Sequence, residues 1–204
     1  MKISKAKRLL ILGVILVVID QVIKILVKTN MQIGEHFSVI GNWFQIFFIE
    51  NEGMAFGMKF GGAVGKFLLS FFRIALFGVL CWWIASLARK SVDSSGKPAV
   101  PAGVLVGLTM ITAGAFGNII DSLFYGVIFD YAPLMFGRVV DMFYFPLIDT
   151  TWPAWVPFVG GERLLFFAPV FNFADSCVTV GAFYLILFQN RFFTREAPAS
   201  SYTH

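Results

Sequence analysis

Four long apolar stretches constrain this chain more than any other feature of its sequence, at about residues 9–27, 67–87, 99–120 and 167–188. Each is close to the roughly 20 apolar residues that a helix needs to cross a bilayer. Backbone amides in lipid must find partners within their own segment, so helices are expected rather than open strands. Charged residues make up only 14% of the chain, against about 25% in soluble domains. The sequence therefore predicts an all-α membrane protein with four transmembrane helices.

Basic residues near the helix ends predict the orientation of the bundle. Nine lie before the first stretch, between the second and third, or after the fourth, whereas five are spread over the two longer loops. This bias places both termini in the cytoplasm and the longer loops on the outer, periplasmic side. It also accounts for the net charge of +4, so no nucleic-acid partner is expected.

The two longer loops differ in character. In the first, residues 36–40 and 43–49 are β-prone and Gly41-Asn42 between them is a turn signal, which predicts a small β platform on the outer surface. The second loop, 121–166, is rich in proline and aromatic residues and is expected to be irregular, with a short interfacial helix. We expect residues 1–190 to form a single domain and 191–204 a cytoplasmic tail.

Acidic and amide side chains cluster at one predicted depth, where each ionisable group costs about 2.5–3.5 kcal/mol to insert. Given the alternating helix directions, they all fall near the outer face: Asp20, Asn118, Asp121, Asp141, Asn172 and Asp175. Two pairs share the spacing Asn-x-x-Asp, which places both side chains on one helix face. Each asparagine can then donate to its own aspartate or to a neighbouring one.

Two carboxylates held close together share one proton, because both cannot ionise at short range. The ionised one can activate water as a base, while the protonated one polarises a peptide carbonyl as an acid. With His36 and His204 as the only histidines, no His-Glu-x-x-His metal site exists, and neither metal nor cofactor is expected. The residues favour a membrane aspartyl peptidase.

Five motifs resemble, in order and depth, those of the lipoprotein signal peptidase (prokaryotic signal peptidase II) family. They are Asp20-Gln21-x-x-Lys24, Asn51-x-Gly53-x-Ala55-Phe56-Gly57, Gly117-Asn118-x-x-Asp121, Gly137-x-Val139-Val140-Asp141 and Phe171-Asn172-x-Ala174-Asp175-Ser176. The resemblance implies a four-helix enzyme of the bacterial inner membrane. Such an enzyme removes signal peptides from diacylglyceryl-modified prolipoproteins, just before the lipidated cysteine. It works in contact with membrane lipid, is inhibited by globomycin-type cyclic peptides, and is expected here as a monomer.

The resemblance also assigns roles to residues. It implies a catalytic dyad of Asp141 and Asp175. The substrate-binding or supporting residues that it implies are Asp20, Lys24, Asn51, Gly53, Asn118, Asp121 and Asn172.

Two departures from the family pattern stand out. Ser122 occupies a position where the family usually has arginine, and inserts occur at about 124–136 and 150–163. Such inserts resemble the Bacteroidetes branch of the family. They bear on loop shape and inhibitor fit, but both dyad aspartates remain.

Alternative interpretations accompany these assignments. Asp20 and Lys24 at i and i+4 can simply neutralise each other, Arg73 can snorkel to the interface or pair with an acid, and Gly114 and Gly117 can permit close helix packing. A proton-coupled transporter is the main rival function, but it would place acids at the midplane within inverted repeats. A non-enzymatic scaffold gives no reason for so many membrane-embedded acids.

Overall fold

The computed structural model describes residues 4–52, 62–89, 100–166 and 169–188. Its long helices are α1 (Lys5–Asn30), α2 (Gly62–Arg89) and α3 (Ala102–Ile120), followed by a π-helical turn (Asp121–Tyr125), the short α4 (Gly126–Ile128) and finally α5 (Phe173–Leu187). Six strands complete the fold: β1 (His36–Ile40), β2 (Phe44–Asn51), β3 (Val139–Tyr144), β4 (Ile148–Thr151), β5 (Arg163–Phe166) and β6 (Val170–Phe171).

Three helical segments are long and apolar enough to cross a membrane: Lys5–Asn30, Gly62–Arg89 and Ala102–Ile128. The first three predicted spans are therefore confirmed as long apolar helices. The prediction for the fourth stretch is wrong at its beginning, since residues 170–171 form a strand and the helix starts at Phe173. The described α5 has 15 residues, about 22 Å at 1.5 Å per residue, so a fourth span stays a prediction.

The polarity of α1 and α2 is the reverse of that of a soluble helix. The buried residues of α1 are Asp20, Lys24 and Val27, and α2 buries only Ser70. Apolar side chains such as Leu10 and Phe72 are instead more than 60% exposed. Polar groups inside and apolar groups outside is the arrangement that a hydrocarbon solvent requires.

Close packing between α3 and α5 depends on small residues. A Cβ atom added to Gly114 would lie 2.3 Å from the carbonyl oxygen of Ala174, and one added to Gly117 would lie 2.4 Å from Oδ2 of Asp20. The predicted packing role of these two glycines is confirmed. Only glycine lets the backbones approach so closely that the N-terminus of α5 reaches α1 and α3.

An antiparallel sheet in the order β1-β2-β3-β6 covers the end of the bundle where α1 and α3 finish and α5 begins; we call this the sheet end. The hairpin β1–β2 confirms the two strands predicted in the first loop. The prediction of an irregular second loop is wrong, because that loop contains the π-helical turn, α4, β3 and the hairpin β4–β5. Asp121 also does not end its helix, which continues to Ile128.

A hydrophobic cluster fixes the sheet on the helices. Its buried members come from α1, β2, the π-helical turn and β3: Val27, Phe48, Tyr125, Val140 and Met142. Because β3 is held on both sides, by β2 and β6 in the sheet and by this cluster beneath, its side chains have fixed positions.

Replacing Gly114 by alanine is expected to destabilise the protein by about 1–3 kcal/mol, since the new methyl group would overlap the backbone of α5. The measurement is thermal unfolding of the purified chain in detergent. Gly78→Ala is the matched control, because a Cβ there meets nothing within 4 Å. Equal melting temperatures for the two variants would contradict the packing account.

Candidate active site

Lys24 occupies the centre of a buried polar network at the sheet end. Its ammonium group lies 2.9 Å from Asp20 Oδ2 and 2.8 Å from Asp121 Oδ2, and it donates to Asn118 Oδ1 at 2.9 Å. An ammonium group has three donors and no acceptor, so these three oxygens satisfy it completely. The Lys24 side chain is fully buried. The neutralising pair predicted between Asp20 and Lys24 is thus present, but as part of a triad with Asp121.

Gln21 connects the two carboxylates of this triad by a second route. Its side-chain nitrogen lies 3.0 Å from Asp20 Oδ2 and 3.0 Å from Asp121 Oδ1, and its oxygen accepts from the Tyr125 hydroxyl at 3.1 Å. Gln21 and Tyr125 were not assigned to the site from the sequence. An uncharged amide within an apolar stretch was the available signal for Gln21, whereas nothing in the spacing pointed to Tyr125.

Asp20 caps a helix other than its own. Its Oδ1 accepts a hydrogen bond from the backbone N–H of Ala174 at 2.9 Å, while Asn172 Oδ1 accepts from the N–H of Asp175 at 2.8 Å. The first turn of α5 therefore has two of its otherwise unsatisfied N–H groups bonded. A carboxylate is also favoured there by the positive end of the helix dipole. This contact fixes α5, and Asp175 on it, relative to α1.

The π-helical turn and Gly137 position β3. The carbonyl oxygen of Ser122 accepts from the N–H of Gly137 at 2.9 Å, and Asp121 Oδ2 accepts from the N–H of Val140 at 3.3 Å. A Cβ on residue 137 would lie 2.0 Å from the Asp121 carbonyl oxygen, so only glycine permits this approach. The next residue after Val140 is Asp141, which is thereby placed beside the network.

Asp141 is a buried carboxyl group with two amide donors and two charged neighbours. Asn172 Nδ2 donates to its Oδ1 at 2.6 Å, and Asn51 Nδ2 donates to its Oδ2 at 3.3 Å. Burial, and then the charge of Asp175, raise the pKa of Asp141 to about 7, although both amide hydrogen bonds and the charge of Lys24 oppose the rise. Near neutral pH this group is therefore an acid that still holds a proton for part of the time.

Two asparagines bridge Asp141 and Asp175. Asn118 Nδ2 donates to Asp175 Oδ1 at 2.8 Å, and Asn172 Nδ2, besides bonding Asp141, lies 3.2 Å from Asn118 Oδ1. Each asparagine thus bonds the side chain of an aspartate outside its own motif. The expectation that Asn172 and Asp175 share a helix face is wrong, because Asn172 is the N-cap of α5 with extended backbone.

The structure brings together all but one of the residues predicted for the site. Those in the network are Asp20, Lys24, Asn51, Asn118, Asp121, Asp141, Asn172 and Asp175. Gly53 lies outside the described residues. Asp141 and Asp175 differ in burial, since Asp141 is 2% exposed and Asp175 is only half-buried.

Ser122, the departure from the family pattern, is also part of the network. It is buried, its hydroxyl donates to the Asn118 carbonyl oxygen at 2.9 Å, and it accepts from Arg73 Nη1 at 3.0 Å. Among the described residues, no group of three or more histidine, cysteine, aspartate or glutamate side chains is arranged to hold a metal ion.

Comparison with known proteins gives consistent matches over almost the whole chain. A family model described as signal peptidase (SPase) II matches residues 12–191. A lipoprotein signal peptidase of Porphyromonas gingivalis is 45% identical over 201 residues, covering 91% of this chain and 84% of the relative. One from Amoebophilus asiaticus is 38% identical over 184 residues, covering 86% and 75%. Both relatives are from Bacteroidetes, as the inserts indicated.

Two solved structures, both described as bacterial membrane enzymes, share the fold. One is 24% identical and covers 95% of this chain and 94% of its own, with a TM-score of 0.58. The other is 25% identical and covers 89% and 92%, also with a TM-score of 0.58. With its three long apolar helices, the chain is a multi-pass membrane protein.

Lys24→Met is expected to destabilise the protein by about 3–5 kcal/mol, because it leaves two buried carboxylates facing each other without a cation. Thermal unfolding in detergent measures the loss. Lys5→Met is the control, as the exposed Lys5 lies on the same helix and donates to the Val100 carbonyl oxygen. A similar small change in both variants would contradict a central role for Lys24.

The raised pKa of Asp141 predicts a pH dependence of stability. The folded state holds this proton more tightly than the unfolded state, so the stabilisation is complete below about pH 4 and is lost as the pH rises through about 7. Asp141→Asn should flatten this slope, which amounts to about 1–4 kcal/mol between pH 4 and 8. Unfolding temperatures measured across that range test it, and an unchanged slope in the variant would contradict the assignment.

Proposed function

The chain belongs to the signal peptidase II family, and from that membership we propose that it removes the signal peptide from diacylglyceryl-modified prolipoproteins, cleaving just before the lipidated cysteine. The observation that supports an aspartate dyad is the asparagine bridge between Asp141 and Asp175. It holds two carboxyl groups near each other in unequal environments, one buried and one half-exposed.

The proposed chemistry is direct attack by water. Asp175, as carboxylate, takes a proton from the water while its oxygen bonds to the scissile carbonyl carbon. Asp141 gives its proton to the carbonyl oxygen, which forms a tetrahedral gem-diol. The C–N bond then breaks as Asp175 returns its proton to the leaving nitrogen and a gem-diol hydroxyl returns one to Asp141. The products are a signal peptide with a free carboxyl group and a lipoprotein with a free amino group on its cysteine.

The remaining network residues have supporting roles in this proposal. Asn118 and Asn172 orient the two carboxyl groups, and Asn51 adds a donor on the other side of Asp141. Asp20, Lys24 and Asp121 fix the helices that carry them. We place Gly53 in the same site by its motif.

We infer the membrane placement from the basic residues and the family. The sheet end faces the periplasm, four helices span the bacterial inner membrane, and both termini lie in the cytoplasm. This orientation puts the dyad near the outer face, where the lipidated cysteine of a prolipoprotein is anchored. Lipid surrounds the monomeric enzyme, and globomycin-type cyclic peptides are expected to compete with the substrate for the space between the aspartates.

An apolar cavity between α1, α2 and α3 offers a place for the hydrophobic part of a signal peptide. Its volume is about 490 Å³, and its lining includes Leu10, Val14, Phe77, Cys81, Thr112 and Phe116. Several of these residues precede Asp20 on α1 or the Gly117-Asn118 motif on α3, so the cavity lies between the polar network and the opposite end of the bundle. An apolar segment inserted there would have its scissile end at the sheet end.

Asp175→Asn and Asp141→Asn are each expected to reduce cleavage by at least about a hundredfold with folding retained, because each removes one partner of the proton transfer. The assay uses purified full-length chain in detergent with a diacylglyceryl-modified prolipoprotein. Mass spectrometry of the products locates the cut.

Asp149→Asn is the matched control, since Asp149 is exposed on β4 and pairs with Arg163. It should cleave like the wild type. Undiminished cleavage by either dyad variant would remove that aspartate from the mechanism, and wild-type cleavage abolished by a chelator would replace the dyad with a metal-dependent reaction.

A further inference from the structure

A buried carboxylate, that of Glu50, joins three elements at the sheet end. Glu50 lies on β2, and its side chain is only 5% exposed. One of its oxygens accepts from the Lys28 ammonium group of α1, and the other accepts from Arg138 Nη1 at 3.2 Å. Arg138 comes directly before β3. A single carboxylate therefore ties β2 to the end of α1 and to the beginning of β3.

Aromatic rings hold Lys28 in place from the side away from the ion pair. Its ammonium nitrogen lies 4.8 Å from the ring centroid of Phe129, 4.7 Å from that of Tyr131 and 6.0 Å from that of Phe48. A cation is attracted to the face of an aromatic ring within about 6 Å of its centroid. Since the Lys28 side chain is only 10% exposed, its charge has a fixed position beside Glu50.

Two of these rings, Phe129 and Tyr131, belong to the insert at about 124–136 that departs from the family pattern. The Tyr131 hydroxyl accepts from the backbone N–H of Arg138 at 2.8 Å, and the Arg138 guanidinium carbon lies 5.6 Å from the centroid of the Tyr131 ring. The insert therefore contacts both of the cations that bind Glu50, and so fixes them relative to the helices.

The residue after Glu50 is Asn51, which is the last residue of β2. Neighbouring side chains on a strand point to opposite faces of the sheet, so Asn51 turns to the face opposite the ion pairs. Asn51 pairs with Val139 of β3, and its Nδ2 donates to Oδ2 of Asp141, two residues further along, at 3.3 Å. The position of the end of β2 therefore determines this hydrogen bond.

We propose that Glu50 is a positioning residue for the dyad, because it fixes the end of β2 and so keeps Asn51 in hydrogen-bond contact with Asp141. Lys28 and Arg138 are the two points to which it is fixed. This inference rests on the proposed function, in which Asp141 is the acid. A misplacement of about 1 Å can reduce the rate of an enzyme about a hundredfold, so a residue that fixes the strand can affect the reaction without touching the substrate.

The experiment measures steady-state cleavage of a diacylglyceryl-modified prolipoprotein by wild type, Glu50→Gln, Asn51→Ala and the double variant, using full-length chain in detergent. Glu50→Gln should lower kcat by about tenfold with KM unchanged, because the hydrogen bond that it disturbs acts on the reacting acid rather than on substrate binding. Asn51→Ala removes that hydrogen bond directly. In its background Glu50→Gln should therefore lower kcat by less than about twofold.

Glu35→Gln is the matched control, because it makes the same change in an exposed carboxylate of the same end of the molecule. Glu35 lies between α1 and β1, and its Oε2 accepts from the backbone N–H of Gln32 at 2.8 Å. This variant should leave both kcat and KM at the wild-type values.

The outcomes separate this inference from the function on which it rests. An unchanged kcat in folded Glu50→Gln protein would overturn the inference. Equal losses of kcat with and without Asn51 would also overturn it, since the effect would then not pass through that residue. A raised KM at constant kcat would overturn it by placing Glu50 in substrate binding. Absence of cleavage by the wild type would overturn the proposed function instead.

Glu50→Asp replaces Glu50→Gln if the latter does not fold, since glutamine leaves two cations without their carboxylate. Aspartate keeps the charge, but its side chain is one methylene shorter and cannot hold both cations at their present positions. The same loss of kcat at constant KM is expected, and it should again disappear in the Asn51→Ala background. A wild-type kcat in Glu50→Asp would overturn the inference.

Discussion

The buried ammonium group of Lys24 is the interaction on which the rest of this structure depends. It binds Asp20 on its own helix, Asp121 on the π-helical turn and Asn118 on α3. A charge removed from water in this way is tolerated only with complete pairing, so the three partners cannot separate without a large loss of free energy. Asp20 extends the connection by capping α5. One cation, acting directly and through Asp20, thus fixes α1, α3 and α5 relative to one another, and the two asparagines and Asp175 lie on α3 and at the start of α5.

The same arrangement explains how two aspartates come to differ. Asp141 is deeply buried on β3, which pairs with β2 and β6 in the sheet and packs against the hydrophobic cluster. Asp175 lies in the first turn of α5 and is only half-buried. Burial favours the protonated form of Asp141 and so raises its pKa. The asparagine bridge keeps both aspartates in one hydrogen-bond network despite this difference in burial.

Much of this could be predicted from the sequence, because lipid makes each polar residue in an apolar stretch informative. The long helices α1 to α3 followed from the length of the apolar stretches, the hairpin β1–β2 from its β-prone residues and turn signal, and the grouping of the acids from their positions on helices of alternating direction. The strand carrying Asp141 was missed, since its backbone partners come from residues about ninety positions earlier. The π-helical turn, the N-cap role of Asn172 and the Ser122–Arg73 contact were also missed, because each depends on tertiary approach rather than on local pattern.

The central claim is that two coupled carboxyl groups sharing one proton cleave the substrate. The pH dependence of single-turnover cleavage by the wild-type chain tests it most directly, with the lipidated prolipoprotein in detergent. Two such groups predict a bell-shaped profile, with an acid limb for loss of the carboxylate and a basic limb for loss of the shared proton, whose apparent pKa values belong to the pair. A rate that stays constant from about pH 4 to 9, across the range in which carboxyl groups of this kind titrate, would contradict the account.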